Sequence, residues 1–238
     1  MGFPSFDLGI PPPTTTAVRP RQWQSRLIQL LRARLLNHQP GGHDVLIHAG
    51  PGAGKTLGAL LSFITLQREG RLDRFLIFCH RSSIARQWLG AAERLNLRLL
   101  EWDPEQGLLA LEANSNWDGL LLSYQCTARH RLALEAALPR VALGSWLAIA
   151  DEVHHLGLDP DEPEAAAWGF AFSQLTAPAQ LRLGLTGTPF RADNLAFCSA
   201  RRQRVREGDS WVEQIVPDLS VEPRQLILAG DVRPLEFR

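Results

Sequence analysis

Ala49-Gly50-Pro51-Gly52-Ala53-Gly54-Lys55-Thr56 stands between the apolar run Val45-Leu46-Ile47 and Leu57-Gly58-Ala59-Leu60-Leu61, which has the composition of a helix start. A strand that feeds a glycine-rich loop and then a helix is the context of a phosphate-binding loop. Gly50, Gly52 and Gly54 can take positive φ, so successive backbone N–H groups can converge on one anion. The N-terminus of the following helix adds the positive end of its dipole at the same place. In such a loop Lys55 reaches the β- and γ-phosphates and the Thr56 hydroxyl ligates Mg²⁺. One position departs from the strict pattern: the first residue is Ala49 where glycine is expected.

Five further apolar runs flank this segment: Phe75–Cys79, Leu97–Leu100, Gly119–Ser123, Trp146–Ala150 and Leu181–Leu185. Each is short, apolar on both faces and bounded by polar residues or glycine, as strands of a parallel sheet covered by helices are. Helical spacing recurs in Trp23, Leu27, Leu30, Leu31 and Leu35, and again in Ile84, Trp88, Ala91 and Leu95. The sequence therefore predicts an α/β fold with a mostly parallel sheet. Residues 1–16, rich in Pro and Thr, read as a loosely held tail. Residues 17–225 read as the domain, and 226–238 as the start of a linker.

Two of the runs deliver chemistry at their carboxyl ends, where ligands bind in open α/β sheets. Asp151-Glu152-Val153-His154 follows Trp146–Ala150; the first acid can hold Mg²⁺ through its water shell and the second can deprotonate an attacking water. Thr186-Gly187-Thr188-Pro189 follows the last run, and its hydroxyls could relay between a phosphate and a moving partner. A simple β-turn explains that string equally well.

Composition narrows the class. Hydrophobic residues make up 45% and charged residues 21%, a balance that suits a soluble globular protein of 238 residues. Net charge is zero, so any attraction to nucleic acid must come from a local basic face. Cys79, Cys126 and Cys198 lie far apart, which argues against disulfides and structural zinc and for a reducing compartment. No apolar stretch reaches the length of a membrane span, and the N-terminus lacks a secretory pattern. A cytoplasmic protein without membrane contact is expected. The acidic stretch 159–164 reads as a solvated loop, and the basic run Arg201–Arg206 as an exposed helix face, with contact to nucleic-acid phosphates as the alternative.

The strings A-x-x-x-x-G-K-T, D-E-V-H and T-G-T-P occur in that order, and together they resemble the first RecA-like domain of superfamily 2 helicases and translocases of the DEAD/DEAH-box, DExH branch. That family accepts alanine where Ala49 stands. The resemblance runs from Val18 almost to the end. Arg19-Pro20-Arg21-Gln22 resembles the R-P-x-Q element in which the glutamine reads adenine, with Gln24 as the alternative glutamine. His80-Arg81-Ser82-Ser83-Ile84-Ala85-Arg86-Gln87-Trp88 resembles the P-T-x-x-L-x-x-Q-W element that lies against nucleic acid, and Ser123-Tyr124-Gln125 a neighbouring strand-contact motif. Phe190-Arg191-Ala192-Asp193 continues the third motif.

The resemblance implies a RecA-like P-loop NTPase that binds ATP and Mg²⁺ and hydrolyses ATP. It implies nucleotide contacts from Gln22 and from Ala49, Gly50, Pro51, Gly52, Ala53, Gly54, Lys55 and Thr56. It assigns catalysis to Lys55, Asp151, Glu152 and His154, with Thr56 and (through water) Asp151 at the metal. Nucleic-acid contacts fall to Arg81, Ser82, Gln87, Tyr124 and Arg191, and coupling to Thr186 and Thr188. DNA is favoured over RNA, because R-P-x-Q combined with D-E-x-H resembles double-stranded DNA translocases. His80 and Arg81 depart from the family's Pro and Thr, and Arg81 can make a charge-assisted phosphate contact instead. No arginine-finger string follows Arg191, so a second RecA-like domain or a partner chain is expected to complete the site. Hydrolysis by this chain alone is expected to be weak. The motor reading stands beside two others: a nucleotide-dependent binding switch, and the motor part of a restriction or repair complex.

Overall fold

A computed structural model describes residues 18–36, 43–80, 82–107, 116–141, 143–157, 164–188, 202–208 and 210–230. Seven strands form one parallel sheet: β1 (Asp44–Ala49), β2 (Arg74–Cys79), β3 (Leu99–Glu101), β4 (Gly119–Ser123), β5 (Trp146–Asp151), β6 (Leu181–Thr186) and, after the hairpin described below, β9 (Leu219–Val221). Their order across the sheet is β3-β4-β2-β5-β6-β1-β9. The six strands foreseen in the sequence are present. β9 is three residues long, too short to carry a periodic signal of its own.

Strand alternation divides the core in two. Val45, Ile47, Phe75, Ile77, Leu147, Ile149, Leu183 and Leu185 face one layer, and Leu46, Leu76, Phe78, Leu120, Leu122, Ala148 and Ala150 the other. The first layer is covered by α1 (Gln22–Leu36), α2 (Lys55–Arg68) and α3 (Ser82–Arg94). α1 packs through Trp23, Leu27, Leu31 and Leu35, spaced four apart so that they form one stripe. The second layer is covered by α4 (Tyr124–Arg129), α5 (Arg131–Ala137) and α6 (Ala165–Thr176). A sheet covered on both faces explains why its strands are apolar throughout instead of alternating.

At the amino-terminal edge of the sheet a charged pair is enclosed. Asp44 on β1 and Arg182 on β6 are cross-strand partners. The guanidinium donates from Nε and Nη2 to the two carboxylate oxygens at 2.5 and 2.7 Å, with both side chains buried.

One expectation changes here. The basic run read as a helix face forms β7 (Arg202–Glu207), which pairs antiparallel with β8 (Ser210–Ile215) in a separate two-stranded ribbon. After β9 comes α7 (Pro223–Leu228), whose Leu226 is buried in the first core layer. The acidic stretch at 159–163, Arg81 and Arg191 lie outside the described residues. No helix among the described residues is long and apolar enough to cross a membrane.

Candidate functional site

Sheet order and register assemble the site. β5, β6 and β1 are neighbours, Asp151 pairs with Leu185, and His48 pairs with Thr186. The three motif-bearing loops therefore leave adjacent strands at one level. The loops after β1 and β5 border a cleft of about 600 Å³ lined by Gly50, Pro51, Gly52, Gly54, Lys55, Thr56, Asp151 and Glu152, together with Ile84, Gln87 and Arg94 of α3. That volume lies within the ordinary range of small-molecule sites.

The loop takes its shape from Arg21 and the first turn of α1. Arg21 Nη1 donates to the carbonyls of Gly52 (3.2 Å) and Ala53 (2.8 Å), Trp23 Nε1 to Ala53 (3.1 Å), and Gln24 Nε2 to Gly54 (3.0 Å). In a trans peptide the N–H points opposite to the carbonyl. The N–H groups of Gly54 and Lys55 are thus turned away from α1, toward the cleft. Gly52 and Gly54 do this at φ 74° and 86°, where a side chain would be strained. Gly50, expected to share that conformation, does not adopt it; its carbonyl instead accepts from Ala53 N–H at 3.2 Å. A backbone nest at the head of the 14-residue α2 fits a polyphosphate.

Opposite the loop, Asp151 is fixed from three sides. Trp88 Nε1 donates to Oδ2 at 2.7 Å, Glu152 N–H donates to Oδ1 at 3.0 Å, and the Tyr124 hydroxyl donates to the Asp151 carbonyl at 2.8 Å. Burial holds the Asp151 carboxyl above its ordinary value, against the opposing pull of the Trp88 hydrogen bond. Below about pH 3.8, the ordinary carboxyl value, both folded and unfolded chains keep the proton and the ionised form costs nothing. As pH climbs toward the raised folded value, the unfolded chain releases its proton first and stability falls. The thermal midpoint of Asp151→Asn relative to the parent should therefore be higher at pH 7 than at pH 4, from a baseline lowered because its amide NH₂ must face one of two N–H donors, Trp88 Nε1 or Glu152 N. An equal difference at both pH values would remove ionisation of Asp151 as the cause.

Glu152 adopts left-handed backbone angles, φ 52° and ψ 54°, unusual for a residue with a side chain. Its Oε1 lies 3.4 Å from Lys55 Nζ, and Oε2 accepts from Gly187 N–H at 3.2 Å and from the Thr186 hydroxyl at 3.4 Å. Lys55 also donates to the Ala49 carbonyl at 3.0 Å. His154 Nδ1 lies 2.9 Å from Thr186 Oγ1 and 3.4 Å from Glu152 Oε2. Thr186 Oγ1 in turn accepts from Thr188 N–H at 3.2 Å. Lys55, Glu152, His154, Thr186 and Thr188 form one polar chain across three strand ends.

Three sequence assignments are placed differently. Tyr124 is fully buried, its hydroxyl committed to Asp151, and burial pushes the phenol well above its ordinary value. It braces the acidic loop and presents no surface to nucleic acid. Gln87, also assigned to nucleic acid, lines the cleft and donates from Nε2 to Thr56 Oγ1 at 3.3 Å, because one face of α3 (Ile84, Gln87, Ala91, Arg94) turns that way. Gln22 opens α1 exposed and is not part of the cleft lining, whereas the alternative Gln24 is buried against the loop. Ser82 begins α3 at its N-terminal end, and Thr188 is exposed beside Gly187. The braces Arg21, Trp23 and Trp88 carry no assigned role in the sequence reading, and Gln24 enters it only as the alternative adenine reader. Their signal is proximity to the R-P-x-Q and Q-W strings.

The sequence profile of the family described as type III restriction enzyme, res subunit, matches residues 17–191. The uncharacterized protein Rv2917 of Mycobacterium tuberculosis is 30% identical over 231 residues, covering 96% of this chain and 35% of its own length. The uncharacterized protein ML1624 of Mycobacterium leprae is 32% identical over 176 residues, 73% of this chain and 26% of its own. The chain thus spans about a third or less of these relatives. Among solved structures, the Sulfolobus solfataricus SWI2/SNF2 ATPase core in complex with double-stranded DNA superposes with TM-score 0.56 at 20% identity, over 76% of this chain and 35% of that one. A nuclease-deletion mutant of the type ISP restriction-modification enzyme LlaGI, in complex with a DNA substrate mimic, superposes with TM-score 0.58 at 12% identity, over 90% and 21%. The fold is that of a superfamily 2 helicase-type RecA-like domain.

Proposed function

The chain belongs to the family of the type III restriction enzyme res subunit, and from this we propose that it is the ATP-binding half of a DNA-directed motor. The observation that carries the reading is the convergence of Lys55 and Gly187 N–H on Glu152, opposite a loop whose N–H groups face the same cleft. In this reading the loop and Lys55 bind the phosphates, and Lys55 exchanges Glu152 for the more strongly anionic partner. Glu152, released from Lys55 but still held by Gly187, then takes the proton of the attacking water. Thr56 and Asp151 are the residues that would hold Mg²⁺, which supplies neutralisation of charge on the phosphate oxygens. His154, Thr186 and Thr188 would transmit the state of Glu152 to the third motif and so to a bound strand.

DNA is favoured by the R-P-x-Q and D-E-x-H combination and by the DNA present in both fold neighbours. We assign residues 17–225 with α7 to the motor domain, since Leu226 is core, and assign completion of the site to a second RecA-like domain or partner chain. An arginine contributed across such a cleft is worth about 10³–10⁵ in rate, so this chain alone should hydrolyse ATP slowly. Phosphate release measured with and without DNA or RNA tests this, with Lys55→Ala as the control that loses nucleotide affinity by calorimetry. Fast nucleic-acid-stimulated turnover by the monomer would overturn the half-site, and unchanged affinity in Lys55→Ala would remove the loop as the site. The family description and the type ISP neighbour favour one second reading, the motor of a restriction assembly.

A further inference from the structure

The β7–β8 ribbon pairs with no other strand among the described residues. Two six-residue strands make it about 20 Å long. In its register Arg204 and Arg206 lie opposite Glu213 and Trp211, opposed residues share a face, and Ile215 follows Glu213 on that face. One end of that face is anchored, since Ile215 is buried in the second core layer. The other end is open: Trp211 is 69% exposed. The chain has seven tryptophans, and the other six are at most 7% exposed, so this indole is treated unlike the rest. Directly opposite it, Arg206 donates from Nε to the Gly208 carbonyl at 3.1 Å, which keeps its stem at the ribbon's tip. Arg204, also exposed, follows on the same face, and Glu213 is the acid beside it.

A flat indole bordered by guanidinium groups matches a ligand that is both flat and anionic. A nucleobase on its phosphate backbone has that chemistry: bases stack on aromatic rings, and arginine pairs with the phosphates between them. Bases inside a duplex already have both faces covered, so stacking of this kind selects an unpaired base. A protein partner that buried Trp211 would be expected to find apolar neighbours around it, and here the exposed neighbours on the face are Arg206, Arg204 and Glu213. We infer that the tip of the β7–β8 ribbon is a contact for single-stranded nucleic acid, with Trp211 stacked on an unpaired base and Arg206 and Arg204 on the flanking phosphates. The inference rests on the nucleic-acid reading above and adds a site that the helicase motifs do not contain.

Fluorescence anisotropy with labelled oligothymidylate, on the full chain, tests it. Trp211→Ala should weaken binding about tenfold, within the range measured for loss of one stacked base. Trp211→Phe should retain most of the affinity. Arg206→Ala should flatten the salt dependence by about one phosphate contact. Oligothymidylate should also quench the tryptophan emission of the parent, and that quenching should be lost in Trp211→Phe although it still binds. Because Trp211 is exposed, all of these variants should keep the parent's melting temperature. If the parent binds oligothymidylate and Trp211→Ala binds equally well, the ribbon is not the contact and the motor reading stands. If a blunt duplex loses as much affinity as the single strand, the stacking assignment falls. If the parent binds no oligonucleotide with or without nucleotide, the inference and the nucleic-acid reading fall together.

Discussion

Replacing Glu152 by glutamine should leave ATP affinity near that of the parent chain and slow hydrolysis about 10²–10⁴-fold, the usual contribution of a positioned general base. The substitution is nearly isosteric. Its amide oxygen can still accept from Gly187 N–H, which holds the carboxylate at 3.2 Å. What it removes is the capacity to take a proton and the 3.4 Å ion pair with Lys55. Lys55 keeps its bond to the Ala49 carbonyl, so the loop should not collapse. Calorimetry reports the affinity, and single-turnover phosphate release reports the rate. Unchanged hydrolysis would remove Glu152 from the role of base, and lost affinity would instead make it part of the binding surface.

The largest effect on stability is expected at the opposite edge of the sheet. Arg182→Met should lower unfolding free energy by about 3–5 kcal/mol, because it takes the two-pronged guanidinium away from the buried Asp44 carboxylate. For a domain of this size that amounts to roughly 6–20 °C in melting temperature. His43 Nε2 lies 3.8 Å from Asp44, but its half-exposed ring is a poor substitute for a two-pronged guanidinium. Asp44→Leu combined with Arg182→Met should recover most of the loss, since an enclosed ion pair can be replaced by packed apolar groups at little net cost. Urea unfolding of the single and double variants checks both parts. A loss below about 1 kcal/mol in the single variant would mean that water reaches Asp44 more freely than its burial indicates.

The parallel sheet was legible because strands covered on both faces leave an unbroken apolar signature, as in Phe75–Cys79 and Trp146–Ala150. The loop, the acidic pair and the Thr186–Thr188 string were legible because each sits at the carboxyl end of such a run. The β7–β8 ribbon was not. Arg202-Gln203-Arg204-Val205-Arg206 alternates as a strand does, but with charge where the usual signal is apolar, so its period carries no hydrophobic contrast. Tyr124 and Gln87 show a second limit. A string match fixes where a residue falls along the chain, whereas its direction is set by the helix that carries it. α4 turns Tyr124 inward to Asp151, and α3 turns Gln87 to Thr56.

The grip of Arg21 and α1 on the loop carbonyls of Gly52, Ala53 and Gly54 has a wider meaning for how defects in this protein would look. The conformation of the G-K-T segment is held by residues about thirty positions upstream, so the information for the proposed nucleotide site is nonlocal. A lesion at Arg21 would leave every letter of the signature and the apolar core intact, yet in the nucleotide-binding reading it would present as a failure to hold ATP, and one at Trp23 or Gln24 would add a packing defect to that failure. Genotype and motif would then disagree, and the helix would be the place to look.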